Sequence, residues 1–233
     1  MAQVQAYSRD AVASAEGAFF RRVYNWMVVG LLLTGGVAWA AAQSDALINL
    51  IFGNRILFYV LAFGELGLVF YLAARIQRLS AGTASAMFLI YSALNGLVFS
   101  VLFRVYTGAN ITTAFLVTGG TFAAMSVYGY TTRRSLQSWG SFLFMGLIGI
   151  IIASLVNFFV HSRMLYWIVS YAGVLIFTGL TAYDTQRLRV IFANGFENEG
   201  AETKSAVMGA LALYLDFINL FLMLLRIFGG SRD

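Results

Sequence analysis

Hydrophobic and polar positions alternate along this chain in long blocks. Seven apolar runs approach the roughly 20 residues that a helix needs to cross a bilayer. The predicted spans are residues 24–43, 55–75, 83–104, 111–131, 139–160, 164–188 and 206–228. Asp216 and Asn219 interrupt the seventh run, so it crosses the membrane, enters and returns, or is buried among the other six. The pattern predicts an all-α integral membrane protein, with one membrane domain over residues 23–230.

The segments between the apolar runs predict how the spans are joined. Connections are expected to be short except over residues 189–205. Residues 1–22 are polar and carry both signs of charge, which is not the order of a cleaved signal peptide, so they are predicted to remain as an N-terminal tail. Disorder is the simpler interpretation of this tail, and an extended segment engaged by a protease is the alternative.

Composition supports a membrane protein and excludes several chemistries. Hydrophobic residues make up 60% of the 233 positions and charged residues 11%, against about 25% charged in soluble domains. Cysteine is absent, which excludes disulfides and thiolate metal sites. Proline is absent as well, so small residues must provide close helix packing. The candidates are Gly36 with Ala40 and the glycines at 146, 149, 173 and 179.

The basic residues indicate orientation. The net charge of +5 comes from arginines between the spans, which does not suggest nucleic-acid binding. With a cytoplasmic N-terminus, ten basic residues lie inside and five outside, which follows the positive-inside rule and puts the C-terminus outside if the seventh run crosses. The inside set is Arg9, Arg21, Arg22, Arg75, Arg78, Arg133, Arg134, Arg187, Arg189 and Lys204, and the outside set is Arg55, Arg104, Arg163, Arg226 and Arg232.

Three acids lie within predicted spans: Glu65 in the second, Asp184 in the sixth and Asp216 in the seventh. An ionised acid at the centre of a lone membrane helix costs about 2.5–3.5 kcal/mol, so such residues usually face a partner or a cavity. Depth along the two helices brings Asp184 and Asp216 to within about one helical turn of each other. If they meet, they should titrate as a coupled pair that shares a proton or exchanges protons for Ca²⁺.

Structural interpretations of the same residues remain open. Asp184 could form an ordinary ion pair with Arg187, three residues away. Asp216 could be hydrogen-bonded by Asn219 or a tyrosine, and Asn219 is more often a helix-packing residue than a ligand. Glu65 could form a structural clamp with Arg226, which lies at the end of the seventh span.

Two sequence strings carry a family resemblance. The run "LYLDFINLFLMLLRIFGG", taken with "GLTAYDTQRLR" about thirty residues earlier, closely resembles the Bax inhibitor-1 family, also called the transmembrane Bax inhibitor motif family. The match extends over essentially the whole chain and looks most like the bacterial branch, including inner-membrane members that associate with an AAA-type membrane protease.

The resemblance implies a fold, a site and an activity. Six helices are expected to surround a central C-terminal seventh, with no tightly bound cofactor. Asp184 and Asp216 match the family's pH-sensing aspartate dyad in a calcium-leak pathway, which makes them the candidate calcium site. Glu65 and Arg226 match the family's second-helix glutamate and seventh-helix arginine. The family's latch arginine matches either Arg75 or Arg78.

Other functions compete with a calcium leak. The first is a regulator that acts by contact with an AAA-type membrane protease and moves no ion. The second is an intramembrane aspartyl protease, but Asp216 lacks the glycine-x-glycine-aspartate context of such enzymes. A retinal protein is excluded because the only lysine, Lys204, lies outside the predicted spans. His161 is interpreted as a loop residue. We therefore expect a protein that is not an enzyme.

Overall fold

The computed structural model describes residues 2–229, with side chains from Asp10 onward. The helices are α1 (Ala2–Ala42), α2 (Asp45–Gly53), α3 (Arg55–Arg75), α4 (Ala81–Phe99), α5 (Leu102–Val105), α6 (Gly108–Thr131), α7 (Gln137–Val160), α8 (Arg163–Ala193) and α9 (Glu199–Phe228), and a 3₁₀ turn covers Ile76–Arg78. Two basic residues used to predict orientation are affected by these limits. Arg232 lies outside the described part of the chain, and the side chain of Arg9 is not described.

All seven predicted spans are confirmed as helices long and apolar enough to cross a membrane. They cover Asp10–Ala42, Arg55–Arg78, Ala81–Val105, Gly108–Thr131, Gln137–Val160, Arg163–Ala193 and Glu199–Phe228. The seventh helix is unbroken through Asp216 and Asn219, and its 30 residues measure about 45 Å, more than a bilayer core requires.

The seventh span is also the most buried. Within its most apolar window, 72% of residues are buried, against at most 33% in any other span. The arrangement of six helices around it stays a prediction.

The expected long connection at residues 189–205 is wrong. Most of this segment is helical, because α8 extends to Ala193 and α9 begins at Glu199. Only residues 194–198 lie between the two helices. Gly195 reverses the chain with a φ of +75°, which glycine adopts without strain. Asn198 caps α9 through its side chain, and Glu199 and Glu202 in the first turn complement the helix dipole.

The disorder expected in the N-terminal tail is also wrong for residues 10–22, which extend α1. Phe19 is fully buried, with ring centroids 5.8 Å from Phe192 and 5.3 Å from Phe196. Glu16 pairs with Arg189 at 3.1 Å beside this cluster. Burying a phenylalanine contributes about 1.5–3 kcal/mol and an exposed ion pair about 0–1 kcal/mol, so the aromatic contact dominates. The short helix α2, capped by Ser44, was not predicted because nine residues cannot span a bilayer.

The chain divides into two compact units, and α8 and α9 each contribute to both. The first unit comprises residues up to Val101 and Leu188–Leu211. In it, α1 and α4 pack closely at glycines. A Cβ atom on Gly96 would lie 2.7 Å from the carbonyl oxygen of Thr34, and one on Gly30 would lie 2.6 Å from the Phe88 ring. The Thr34 hydroxyl donates to the Ser92 carbonyl at 2.8 Å and links the two helices by a buried hydrogen bond.

The second unit comprises Leu102–Arg187 and the chain from Ala212. Its core is aliphatic and aromatic and is drawn from α7, α8 and α9. The buried members are Leu143, Ile150, Val169, Phe177, Leu180, Leu220, Met223 and Leu224. Helix α6 joins them through edge-on contacts of Phe115 and Phe122 with Phe217. Residues of α6, α7 and α8 therefore pack with α9 around its Ala212–Phe228 segment.

The predicted small-residue contacts are partly right. Gly146, Gly173 and Gly179 lie against Ile176, Met223 and Leu143, each so close that a Cβ atom would approach within 2.8 Å. Gly36 and Gly149 have no neighbour within 4 Å of a Cβ position, so the expected contacts there are wrong. Sequence spacing identifies small residues but not the helix face that meets a neighbour.

Substituting Gly129 tests the packing of α6 on α8. A Cβ atom there would overlap the backbone carbonyl of Ala182, which cannot move aside as a side-chain end could. We expect Gly129→Ala to lower the free energy of unfolding by roughly 1–3 kcal/mol. Gly120→Ala, on the same helix with open space around it, should be neutral or stabilising by up to about 1 kcal/mol. Thermal unfolding in detergent, followed by circular dichroism, measures both, and equal midpoints would contradict this packing.

Candidate functional site

The structure brings Asp184 of α8 and Asp216 of α9 together inside the second unit. Their carboxyl groups are close enough to interact with each other. Asp216 is 5% exposed and Asp184 is half-buried. Of the three acids that the sequence singled out, these are the two that meet.

The surroundings of Asp216 are apolar. Leu213, Tyr214 and Leu220 on the same helix are fully buried. On the opposing helix, Thr181 and Thr185 direct their hydroxyls to the carbonyls of Phe177 and of Thr181, one turn earlier, so these groups are occupied by their own backbone. The Oδ2 atom of Asp216 is buried without a hydrogen-bond partner. A proton shared with Asp184 or a bound cation would satisfy this buried oxygen.

Two alternatives for the aspartates can be compared with the geometry. The Asn219 amide donates to the carbonyl of Leu215 at 2.7 Å, so it braces its own helix while Asp216 lies against Asp184. Arg187 attracts Asp184 electrostatically from an exposed position. Asp184 therefore interacts with both the exposed Arg187 and the buried Asp216. A simple surface ion pair would not include the second contact.

Arg226 and Glu65 are placed in different units. Arg226 lies over the Tyr166 ring, 5.6 Å from its centroid, and the Tyr166 hydroxyl is hydrogen-bonded to Tyr106. Glu65 is half-buried on α3, and its Oε1 atom has no hydrogen-bond partner. A clamp between Glu65 and Arg226 stays a prediction.

The two candidates for the latch arginine remain equivalent. Arg75 ends α3 and Arg78 ends the 3₁₀ turn that follows, and both are exposed. They belong to the first unit and the aspartate pair to the second, so the choice between them also stays a prediction.

The number of protein oxygen ligands limits how tightly calcium can be bound. Ca²⁺ takes six to eight oxygen ligands. In the described chain, no group of three or more His, Cys, Asp or Glu side chains could hold a metal ion. Asp184 and Asp216 provide at most four carboxylate oxygens, and water or other oxygens must complete the shell. Such a donor set suits an ion that passes, because a tightly held ion needs more protein ligands.

Sequence reasoning missed several polar groups of the second unit. The buried hydroxyls of Ser126 and Thr178 have no hydrogen-bond partner among the described residues. The contact of Arg226 with the Tyr166 ring was also missed. Hydroxyl residues in an apolar span and tyrosines near span ends were the available signals, but both are too common in membrane helices to select a site.

Comparison with known proteins identifies the family. The family described as "Inhibitor of apoptosis-promoting Bax1" matches residues 16–233. The chain is 54% identical to the inner membrane protein YbhL of Escherichia coli, over 92% of each chain. It is 47% identical to an uncharacterized protein of Deinococcus radiodurans over 92% of this chain and 91% of that protein. It is 44% identical to an uncharacterized protein of Borreliella burgdorferi over 92% and 93%, respectively.

A match over nearly the whole length, with seven apolar helices, leaves one conclusion about ancestry. This chain is a membrane protein of the Bax inhibitor-1 family.

Proposed function

We propose that this protein is a pH-sensitive calcium leak of the bacterial inner membrane, controlled by Asp184 and Asp216. The observation that carries the proposal is the close approach of two carboxyl groups, one on each of two neighbouring membrane-spanning helices. The name of the Escherichia coli relative supports the location. The excess of arginine on one side of the predicted spans supports a cytoplasmic N-terminus.

A hydrogen bond between the two carboxyl groups requires a proton. Ionised carboxylates only accept hydrogen bonds, so a bond between two carboxyl groups needs one of them to be protonated. Removing that proton would place two negative charges side by side in apolar surroundings, and supplying a second would neutralise the pair. The charge on the pair therefore depends on pH, and any helix arrangement that depends on that charge follows it.

Calcium competes with protons for the same oxygens. A divalent cation compensates two carboxylates that cannot otherwise both ionise at low cost, and hard oxygen ligands suit Ca²⁺. Affinity should fall as the pH falls, because metal binding to an acid must displace its protons. We propose that the bound cation and the proton favour different arrangements of α8 and α9, with Arg75 or Arg78 as the latch.

The proposed protein is not an enzyme. Two carboxyls that share a proton also occur in aspartic proteases. Asp216 is 5% exposed, and Leu213 and Leu220, about one turn to either side on its helix, are fully buried, which argues against access of a peptide to it. The pair is suited to binding a proton or an ion.

Calcium flux from liposomes tests the leak directly. We expect the purified protein to release Ca²⁺ at a rate that changes between pH 6 and pH 8. Asp216→Asn and Asp184→Asn, which fix one member of the pair in a neutral form, should flatten this pH dependence. Asp10→Asn makes the same chemical change at an exposed site on α1 and should leave the profile unchanged. No flux above empty liposomes, from protein shown to be folded, would defeat the proposal.

Infrared spectroscopy tests the shared proton independently of transport. At neutral pH the wild-type protein should show the carbonyl stretch of a protonated carboxylic acid, with the shift that deuterium exchange produces. Both Asp184→Asn and Asp216→Asn should weaken or shift this band, since either change destroys the pair. Asp10→Asn is the control, because it removes an exposed acid that lies outside the pair. A band unaffected by both aspartate variants would contradict a shared proton.

A second candidate is contact regulation of an AAA-type membrane protease. The observation in its favour is the second span, of whose most apolar window only 6% is buried. Phe63 and Phe70 are 68% and 70% exposed on it. Such a surface could receive helices of a membrane partner as well as lipid.

Deleting residues 2–18 separates the two functions. This deletion removes Glu16 and its ion pair with Arg189 but keeps the buried Phe19. If the protein is a contact regulator, the deletion should abolish its effect on substrate degradation by a co-reconstituted bacterial AAA-type membrane protease, and Asp216→Asn should be tolerated. Glu16→Gln is the control for loss of the ion pair alone. Regulation that survives the deletion and is lost in Asp216→Asn would reject this role for the tail.

A further inference from the structure

A cleft of about 470 Å³ lies between α6, α7 and α8 in the second unit. Its walls are mainly aliphatic and aromatic, with Tyr128, Trp139, Leu143, Leu175, Gly179 and Tyr183 among the lining residues. Trp139 and Leu175 are 58% and 74% exposed, so the cleft is open to the surroundings of the protein. Arg134 and Ser135, from the connection between α6 and α7, line it as well and give it a polar end.

Small residues create the cleft. Gly179 of α8 has no side chain to fill the cleft. Its backbone packs closely on α7, since a Cβ atom on Gly179 would lie 2.7 Å from Leu143. Ala182, one turn further along α8, is in close contact with Gly129 of α6. The three helices therefore meet at the floor of the cleft, and the larger side chains form its sides.

The polar end of the cleft is held in place by one side chain. The Gln186 side chain accepts a hydrogen bond from the Leu136 backbone N–H at 2.7 Å. Its amide nitrogen donates to the Arg134 carbonyl at 2.9 Å. Gln186 thus ties both ends of the segment 134–136 to α8. The backbone from which the Arg134 side chain extends is fixed before any ligand binds.

The charge at this end is not compensated by the protein. Arg133 and Arg134 are exposed, and neither forms an ion pair with the described residues. The described residues of the second unit contain two acids, Asp184 and Asp216, which lie against each other. The described residues of this unit also include six arginines: Arg104, Arg133, Arg134, Arg163, Arg187 and Arg226.

An apolar cleft with an unpaired guanidinium at one end is complementary to an anionic phospholipid. Arginine binds phosphate oxygens by paired, charge-assisted hydrogen bonds. Tryptophan and tyrosine are favoured at the level of the headgroups, where Trp139 and Tyr128 would lie beside the arginine. Basic pockets between membrane helices are suited to acidic headgroups, while the apolar walls suit an acyl chain.

We propose that this cleft is a binding site for one anionic phospholipid. Arg134 binds the headgroup phosphate, Arg133 adds charge attraction, and an acyl chain lies along the wall formed by Leu175 and Gly179. The site is separate from the Asp184 and Asp216 carboxyls and does not depend on calcium transport.

Native mass spectrometry of the full chain in detergent tests the site. The protein is titrated with phosphatidylglycerol and with phosphatidylcholine of identical acyl chains. Wild type should bind phosphatidylglycerol about fivefold more tightly, the effect of one basic residue near an anionic headgroup. Arg134→Gln should remove most of this preference, leaving only the attraction from Arg133, and Arg134→Lys should retain most of it. Arg163→Gln, which removes an exposed arginine at the first residue of α8, away from the cleft, should leave it unchanged.

The acyl part of the site needs its own variant and a measurement on the wild type. Leu175→Trp adds bulk at an exposed position and should weaken binding of both lipids. A phosphatidylglycerol with a photoreactive acyl chain should label peptides containing residues 137–143 or 175–183 of the wild-type protein. Equal affinities for the two lipids, an unchanged preference in Arg134→Gln, or labelling confined to other helices would overturn the proposal. The proposal would also be overturned if crosslinks formed from position 175 in native membranes reached protein and no lipid.

Discussion

A carboxyl group surrounded by leucines must have a hydrogen-bond partner or a counter-ion, and Asp216 finds its partner in Asp184. The contact joins α8 and α9 within the second unit, where Leu180, Leu220 and Met223 form the neighbouring apolar layer. An unpaired charge in the same place would cost about 2.5–3.5 kcal/mol or more. The pairing therefore links the two helices at this depth, and under the proposed function its strength depends on a proton.

Close contact between helices makes this register possible. Without proline or cysteine, the chain relies on glycine and alanine to bring the helix axes together. At Gly173 the Met223 side chain of α9 packs against the backbone of α8, and at Gly129 the backbone of α6 meets that of α8. Such contacts tolerate little additional volume, because packed interiors respond even to one methylene group. Under the proposed gating, a change in the charge of the aspartate pair would be transmitted by displacement of whole helices, since tightly packed side chains have little room to adjust individually.

Charge is distributed unevenly around this core. The first unit compensates several of its basic residues internally, as in the contacts of Arg22 with Glu202 and of Arg189 with Glu16. In the described part of the second unit, the two acids lie against each other, and Arg133 and Arg134 form no ion pair. Arg226 lies over an aromatic ring, and Arg134 lines one end of an apolar cleft. The proposed lipid site would place this positive charge against an anionic headgroup.

The sequence by itself determined the seven spans and the family. It also singled out Asp184 and Asp216 as candidates, because an acid in a long apolar run costs enough to need a specific reason. It also identified glycine as the source of close packing. Only the tertiary structure decided which glycines are in contact, since Gly36 and Gly149 lie on faces without a neighbour. The structure also showed that residues 10–22 are helical and that only residues 194–198 separate α8 from α9. Those features depend on contacts between distant segments, such as Phe19 with Phe192, and local polarity alone does not encode them.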